Sequence, residues 1–207
     1  MPPIRWSLVA LAVMAGSAAA QAPRTPAEAA KADSGRPPYT AADVHFMSGM
    51  ISHHAQAIVM AGWARSHGAG PSVRALCERI VVAQGDEIAY MQQWLKDRGL
   101  PVPDADPAGH RMPGMNHPML MPGMLTPEQM TQLDQARGVE FDRLFLTFMI
   151  QHHEGAVAMV EQLMGSYGAA QDDKVFKFAA DVNADQTTEI DRMYEMLAAL
   201  PQGDRTP

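Results

Sequence analysis

Residues 50–61 read MISHHAQAIVMA, and residues 149–160 read MIQHHEGAVAMV. An apolar run ready for burial is interrupted by two adjacent histidines, and the whole arrangement returns 99 positions later. The match extends outward: Asp43, Phe46, Met50, His53, His54, Ala57 and Met60 recur as Asp142, Phe145, Met149, His152, His153, Ala156 and Met159. Further on, Gln84, Glu87, Ile88 and Met91 recur as Gln186, Glu189, Ile190 and Met193, now 102 positions apart. The chain is one module written twice, and that decides the architecture.

Helix signals punctuate each copy. Thr40 with Asp43 makes a capping-box start, helical periodicity runs to about His67, and Gly68-Ala69-Gly70-Pro71 stops it. A second helix is expected from about Ser72 to Arg98, before Gly99 and Pro101. After a Pro/Gly/Met-rich linker over 99–125, Thr126-Pro127-Glu128-Gln129 supplies an N-cap, a first-turn proline and a capping-box glutamine. A long helix to about Tyr167, bent near Gly138, and a last helix over about 171–200 complete the pattern. No strand pattern competes. Two helical hairpins, each too small to bury its own apolar face, predict an all-α four-helix bundle over residues 40–200. Repeat one occupies 40–98, repeat two 126–200, and a tail follows at 201–207.

The first twenty residues carry Arg5, an apolar stretch from Trp6 to Ala15, and Ala18-Ala19-Ala20 before Gln21. That is the pattern of a cleaved secretory signal peptide. A retained anchor is the alternative, but the stretch falls short of the roughly 20 residues a span needs. Residues 21–39 read as a flexible leader. No later segment is long and apolar enough to cross a bilayer, so the expected product is periplasmic or secreted. The formal net charge is −7 with no basic cluster, which argues against nucleic acid as a partner. Cys77 is the only cysteine, so no intramolecular disulfide can form. Its place between Leu76 and Ile80 suits a small buried apolar residue.

At about 100° per residue, His54 projects about 40° and His53 about −60° from Met50, both within the apolar stripe, and the second copy repeats this. His45 projects about 140° away and reads as an ordinary surface histidine. On the second helices Glu87 and Glu189 sit mid-stripe among apolar neighbours, with Met91 and Met193 one turn on. A buried carboxylate must be neutralised, hydrogen-bonded or bound to a cation, and neutral imidazoles also need partners for their ring nitrogens. Two accounts stay open. One is a polar network that satisfies itself and fixes how the hairpins pair. The other is a metal site inside the bundle, with His and carboxylate ligands from facing helices.

The linker adds a second candidate. HRMPGMNHPMLMPGM, residues 110–124, holds Met112, Met115, Met119, Met121, Met124, His110 and His117, out of 17 methionines in the chain. Thioether sulfur is a soft ligand that selects Cu(I), and imidazole suits both copper oxidation states. No carboxylate lies within this run, which argues against Ca²⁺ or Mg²⁺. The bland alternative is a flexible linker whose methionines lie over the end of the bundle.

The paired M-x-x-H-H segments, each followed by Q-x-x-E-I-x-x-M, resemble the bacterial domain-of-unknown-function family 305 over roughly residues 40–200. The resemblance implies a ferritin-like four-helix bundle, export from the cell, and in some members copper binding and tolerance through His and Met side chains. Carried over, it marks Met50, His53, His54, Met149, His152 and His153, with the linker methionines as further candidates. The leading expectation is an exported copper-binding protein that buffers, sequesters or carries copper, its partners the metal ion and other copper-handling proteins. An alternative is a di-metal redox enzyme with iron, manganese or copper held by the four histidines with Glu87 and Glu189. Against it, neither motif copy has the E-x-x-H spacing of ferritin-like di-iron proteins, and no nucleophile–base pair is visible. A structural or interaction bundle with a satisfied polar core is the third reading.

Overall fold

Thr40 opens the first helix, α1 (Ala41–Gly62): its hydroxyl accepts from Asp43 N at 3.3 Å while Asp43 Oδ2 accepts from Thr40 N at 2.6 Å. The computed structural model describes residues 39–110 and 119–201. The expected signal peptide, nearly all of the leader, and the tail from residue 202 lie outside them. Helix α1 ends at Gly62 rather than near His67. The chain turns through 63–68, where Ser66 Oγ donates to the Trp63 carbonyl at 3.1 Å and Gly68 takes φ 72°. Helix α2 (Pro71–Asp97) begins on Pro71 and closes with Gly99 at φ 65°. Leu100 N donates to Leu95 O and Gly99 N to Lys96 O, the two bonds of a Schellman cap.

The long helix expected from Thr126 is two helices, α3 (Pro127–Gln135) and α4 (Gly138–Gly165). Ala136 and Arg137 are extended and Gly138 has φ 59°, so the bend is a complete break. The cause is distant in sequence. His67 Nε2 approaches Asp134 O at 2.9 Å, and Gly138 N donates to His67 O at 2.8 Å, so groups that would continue the helix are taken by the opposite hairpin. Helix α5 (Asp173–Ala199) is capped by Asp172, which accepts from Lys174 N at 2.8 Å. Among the described residues the only β feature is an isolated bridge between His110 and Met119. The architecture is two helical hairpins, α1–α2 and α4–α5, meeting chiefly along α1 and α4.

The repeated aspartates hold the hairpins together at their turns. Asp43 Oδ1 accepts from Ala170 N in the α4–α5 turn at 2.7 Å, and Asp142 accepts from Gly70 N in the α1–α2 turn at 3.0 Å. Each hairpin thus satisfies a backbone donor in the turn of the other.

The linker crosses the α1–α4 seam where the repeat breaks. Gln56 of α1 corresponds to Gly155 of α4, and Gly49 to Phe148. Gln56 clasps the linker at Leu125, accepting from its N at 2.7 Å and donating to its O at 3.1 Å. Gln151 donates to Gly123 O at 3.2 Å. Gly155 lets Pro122 and Gly123 lie directly on α4, since a Cβ there would overlap the Pro122 carbonyl. Met121, Met124 and Leu125 are consequently buried in the core.

Replacing Gly155 by Ala drives a methyl into linker backbone that cannot yield as a side-chain end would. We expect a loss of about 2 kcal/mol or more, read as a lowered urea midpoint. An unchanged midpoint would mean the linker is not seated on α4.

Candidate metal centre

The bundle core is two apolar clusters with a polar layer between them. One cluster gathers Met60, Leu76, Ile80, Phe141, Phe145, Met149 and Met193. The other gathers Phe46, Met50, Met91, Trp94, Met159, Val175 and Val182. Every long helix changes cluster at mid-length, and there the sequence is polar: Ser52, His53, His54 and Gln56 on α1, Gln84 and Glu87 on α2, Gln151, His152 and His153 on α4, Gln186 and Glu189 on α5. His53, His54, His152 and His153 are fully buried.

The two hairpins meet at the centre of this layer, where the His53 and His152 rings lie 3.8 Å apart between centroids and tilted by 40°. The outer histidines reach the second helices. His153 Nε2 donates to Glu189 Oε2 at 2.8 Å. His54 Nε2 lies 2.6 Å from Glu87 Oε2, an ion-pair distance but out of line for a hydrogen bond. His53 Nε2 lies 3.0 Å from the Pro122 carbonyl. A carbonyl can only accept, so His53 carries its hydrogen on Nε2 and leaves a lone pair on Nδ1. Among the described residues, six of the eight ring nitrogens in this quartet lack an aligned hydrogen-bond partner: Nδ1 of all four, with Nε2 of His54 and His152.

Burial pushes the His53 imidazolium down to about 3 and His152 well below its ordinary value. Burial also lowers His153, against the opposing pull of Glu189. These three rings are therefore neutral at pH 7, the form that binds metal.

Glu87 and Glu189 correct the sequence expectation of buried carboxylates. Their side chains are 21% and 22% exposed. Because α1 and α4 form the seam, a cleft of about 240 Å³ opens between α2 and α5, lined by Gln84, Glu87, Asp185, Gln186, Glu189 and Arg79 among others. Each glutamate thus has one side in water and the other on a buried histidine. Gln84 and Gln186 are buried in the same wall, each with an unpartnered Oε1.

The other candidate residues fall into three groups. Met50, Met91, Met149 and Met193 are fully buried, the first two on one side of the layer and the last two on the other. In the linker, Met119 is exposed, while His110, Met121 and Met124 are buried. Met124 Sδ accepts from Met121 N at 3.3 Å. Met112, Met115 and His117 lie outside the described residues. Among the described residues no three His, Cys, Asp or Glu side chains converge on one point at ligand distance. The layer offers pairs: His53 with His152, His54 with Glu87, His153 with Glu189. Sequence reasoning missed the Pro122 carbonyl and Gln56, although the break in the repeat at Gln56 and Gly155 was a readable signal.

The family model for "Domain of unknown function (DUF305)" matches residues 43–197. The chain belongs to the DUF305 family. Among solved DUF305 structures, a protein from Streptomyces coelicolor assigned as secreted superposes with a TM-score of 0.63 at 30% identity, covering 76% of this chain and 92% of that one. A DUF305 fragment from Deinococcus radiodurans gives 0.66 at 28% identity, covering 79% and 100%. CopM in its Cu(I)-bound form gives 0.58 at 26% identity, covering 78% and 97%, and CopM structures with Cu(II) and Ag bound also match. A 58-residue stretch is 34% identical to protein L153 of Acanthamoeba polyphaga mimivirus, a match spanning only 38% of that relative's length.

The lowered histidines make a pH prediction. In the unfolded chain each would take a proton near 6.5, but in the folded protein only at lower pH, so stability is present above about pH 6.5 and is lost as pH falls below it. The Tm of metal-free protein should drop by roughly 5 °C or more from pH 7 to pH 5, and a His53→Leu/His152→Leu variant should lose much of that slope. Equal slopes in the two proteins would show that the layer does not titrate this way.

Proposed function

We propose that this protein is an exported copper-binding protein that buffers, sequesters or carries copper as cargo, with the histidine layer as its principal site. The observation that carries the reading is the set of six buried ring nitrogens without aligned partners. Leaving a buried polar group unsatisfied costs about 1–3 kcal/mol. A neutral imidazole has one N–H and one lone pair, and a cation relieves the lone-pair nitrogens, Nδ1 of His53 and His153 among them. Pairs drawn from His53, His54, His152 and His153 would hold it, Glu87 and Glu189 would balance charge and receive it from the cleft, and buried thioethers above and below suit a soft ion. Support for copper comes also from CopM, whose matching structures hold Cu(I), Cu(II) or Ag. Export is supported by the pattern of the first twenty residues and by the Streptomyces relative.

The test is competitive titration of purified protein against a chromophoric Cu(I) chelator, beside a His53→Leu/His152→Leu variant. Wild type should take copper from the chelator, and the variant should bind at least tenfold more weakly while remaining as stable or more so. Copper affinity and stoichiometry equal to wild type in a folded variant would remove the layer from the reading.

A further inference from the structure

A second cavity lies away from the histidine layer, beside the first turns of α1. It has a volume of about 120 Å³ and is lined by His45, Phe46, Met121, Met159 and Gln162 among others. Gly49 lies against two of these side chains, Met121 and Met159. A Cβ at this position would lie 2.5 Å from Met121 Cε and 3.6 Å from Met159 Cε, so two thioether ends from different parts of the chain meet over one glycine. Glycine inside a helix costs about 1 kcal/mol relative to alanine, and here its missing side chain is what admits Met121.

One imidazole, His45, lines this cavity, and a second, His110, stands beside it. The exposed His45 ring faces the His110 ring at 6.4 Å between centroids. With metal–nitrogen bonds of about 2 Å, two imidazoles sharing an ion have centroids about 6 Å apart. His110 is buried, and its Nδ1 has no partner among the described residues. The bridge between His110 and Met119 fixes the backbone there, with bonds of 3.0 and 2.9 Å.

The repeat supplies an internal control. In the second half Leu144 replaces His45 and Phe148 replaces Gly49, so neither the imidazole nor the gap has a twin. The combination occurs only on the side that the linker crosses.

The geometry points to a second metal site over Gly49, in which Met121 and Met159 supply thioether sulfur and His45 and His110 supply imidazole. Two thioethers and two neutral nitrogens with no carboxylate form a soft donor set, suited to a monovalent ion such as Cu(I) or Ag(I). His45 at the mouth meets the ion first, and the buried thioethers hold it. This site rests on the copper-binding reading of the protein but shares no residue with the histidine layer.

Silver(I), which is diamagnetic, tests it by NMR of protein labelled with ¹³C at the methionine methyls, with peaks assigned by single Met→Leu variants. Silver should shift the Met121 and Met159 methyls together, both in wild type and in the His53→Leu/His152→Leu variant. A His45→Phe/His110→Phe variant should lose the shift or need at least tenfold more silver. Gly49→Ala should displace only the flexible end of Met121, so the protein folds but the paired shift is lost. If the protein binds silver and copper but these two methyls stay unmoved, or move identically without His45 and His110, the second site is overturned and the layer stands. If wild type binds neither ion, both readings fall together.

Discussion

Placing four buried imidazoles in the middle of a helical bundle constrains everything around them. The rings project from two helices, so those helices must form the seam between the hairpins, and α1 and α4 do. The outer rings need partners from the second helices, which places Glu87 and Glu189 at matching heights. His53 reaches the linker carbonyl at Pro122, so the linker must pass over the seam at that level. An apolar layer would pack without such demands but would leave the relative height of the helices less determined. Buried polar groups trade stability for register.

The linker is where the two-fold repeat gives way. A pseudo-symmetric pair of hairpins would present two equivalent faces along the seam, but one connecting segment can cover only one. The sequence accommodates this with substitutions of opposite kinds at equivalent positions. Gln56 offers both an acceptor and a donor to the crossing backbone, while Gly155 withdraws to make room. Gly49 likewise admits a methionine where its counterpart Phe148 fills space itself. Differences between the copies thus carry as much information as their agreement.

The bundle and the meeting of the histidine pairs were legible because both depend on local periodicity and on a repeat that periodicity exposes. The angular separation of His53 and His54 already implied that the two rings reach different neighbours, as they do. What could not be read depends on contacts distant in sequence. The break at Ala136 and Arg137 follows from His67 taking the Asp134 carbonyl across the hairpin boundary. The partial exposure of Glu87 and Glu189 follows from which helix pair forms the seam, and a stripe of apolar residues does not name its neighbour. His45 was read as an ordinary surface residue from its angle on α1; it is exposed, but the angle could not place His110 beside it. The roles of Met112, Met115 and His117 remain expectations of the linker composition alone.

The reciprocal aspartates have a consequence for assembly. Asp43 completes the turn at Ala170 and Asp142 the turn at Gly70, an exchange of the kind two identical subunits make across a two-fold interface. Separate hairpins would form that interface only in proportion to their concentration. Joined in one chain, they meet at the effective concentration set by the tether, so pairing no longer depends on how dilute the protein is. That is the difference between a bundle that persists as a single molecule and one that would dissociate on dilution.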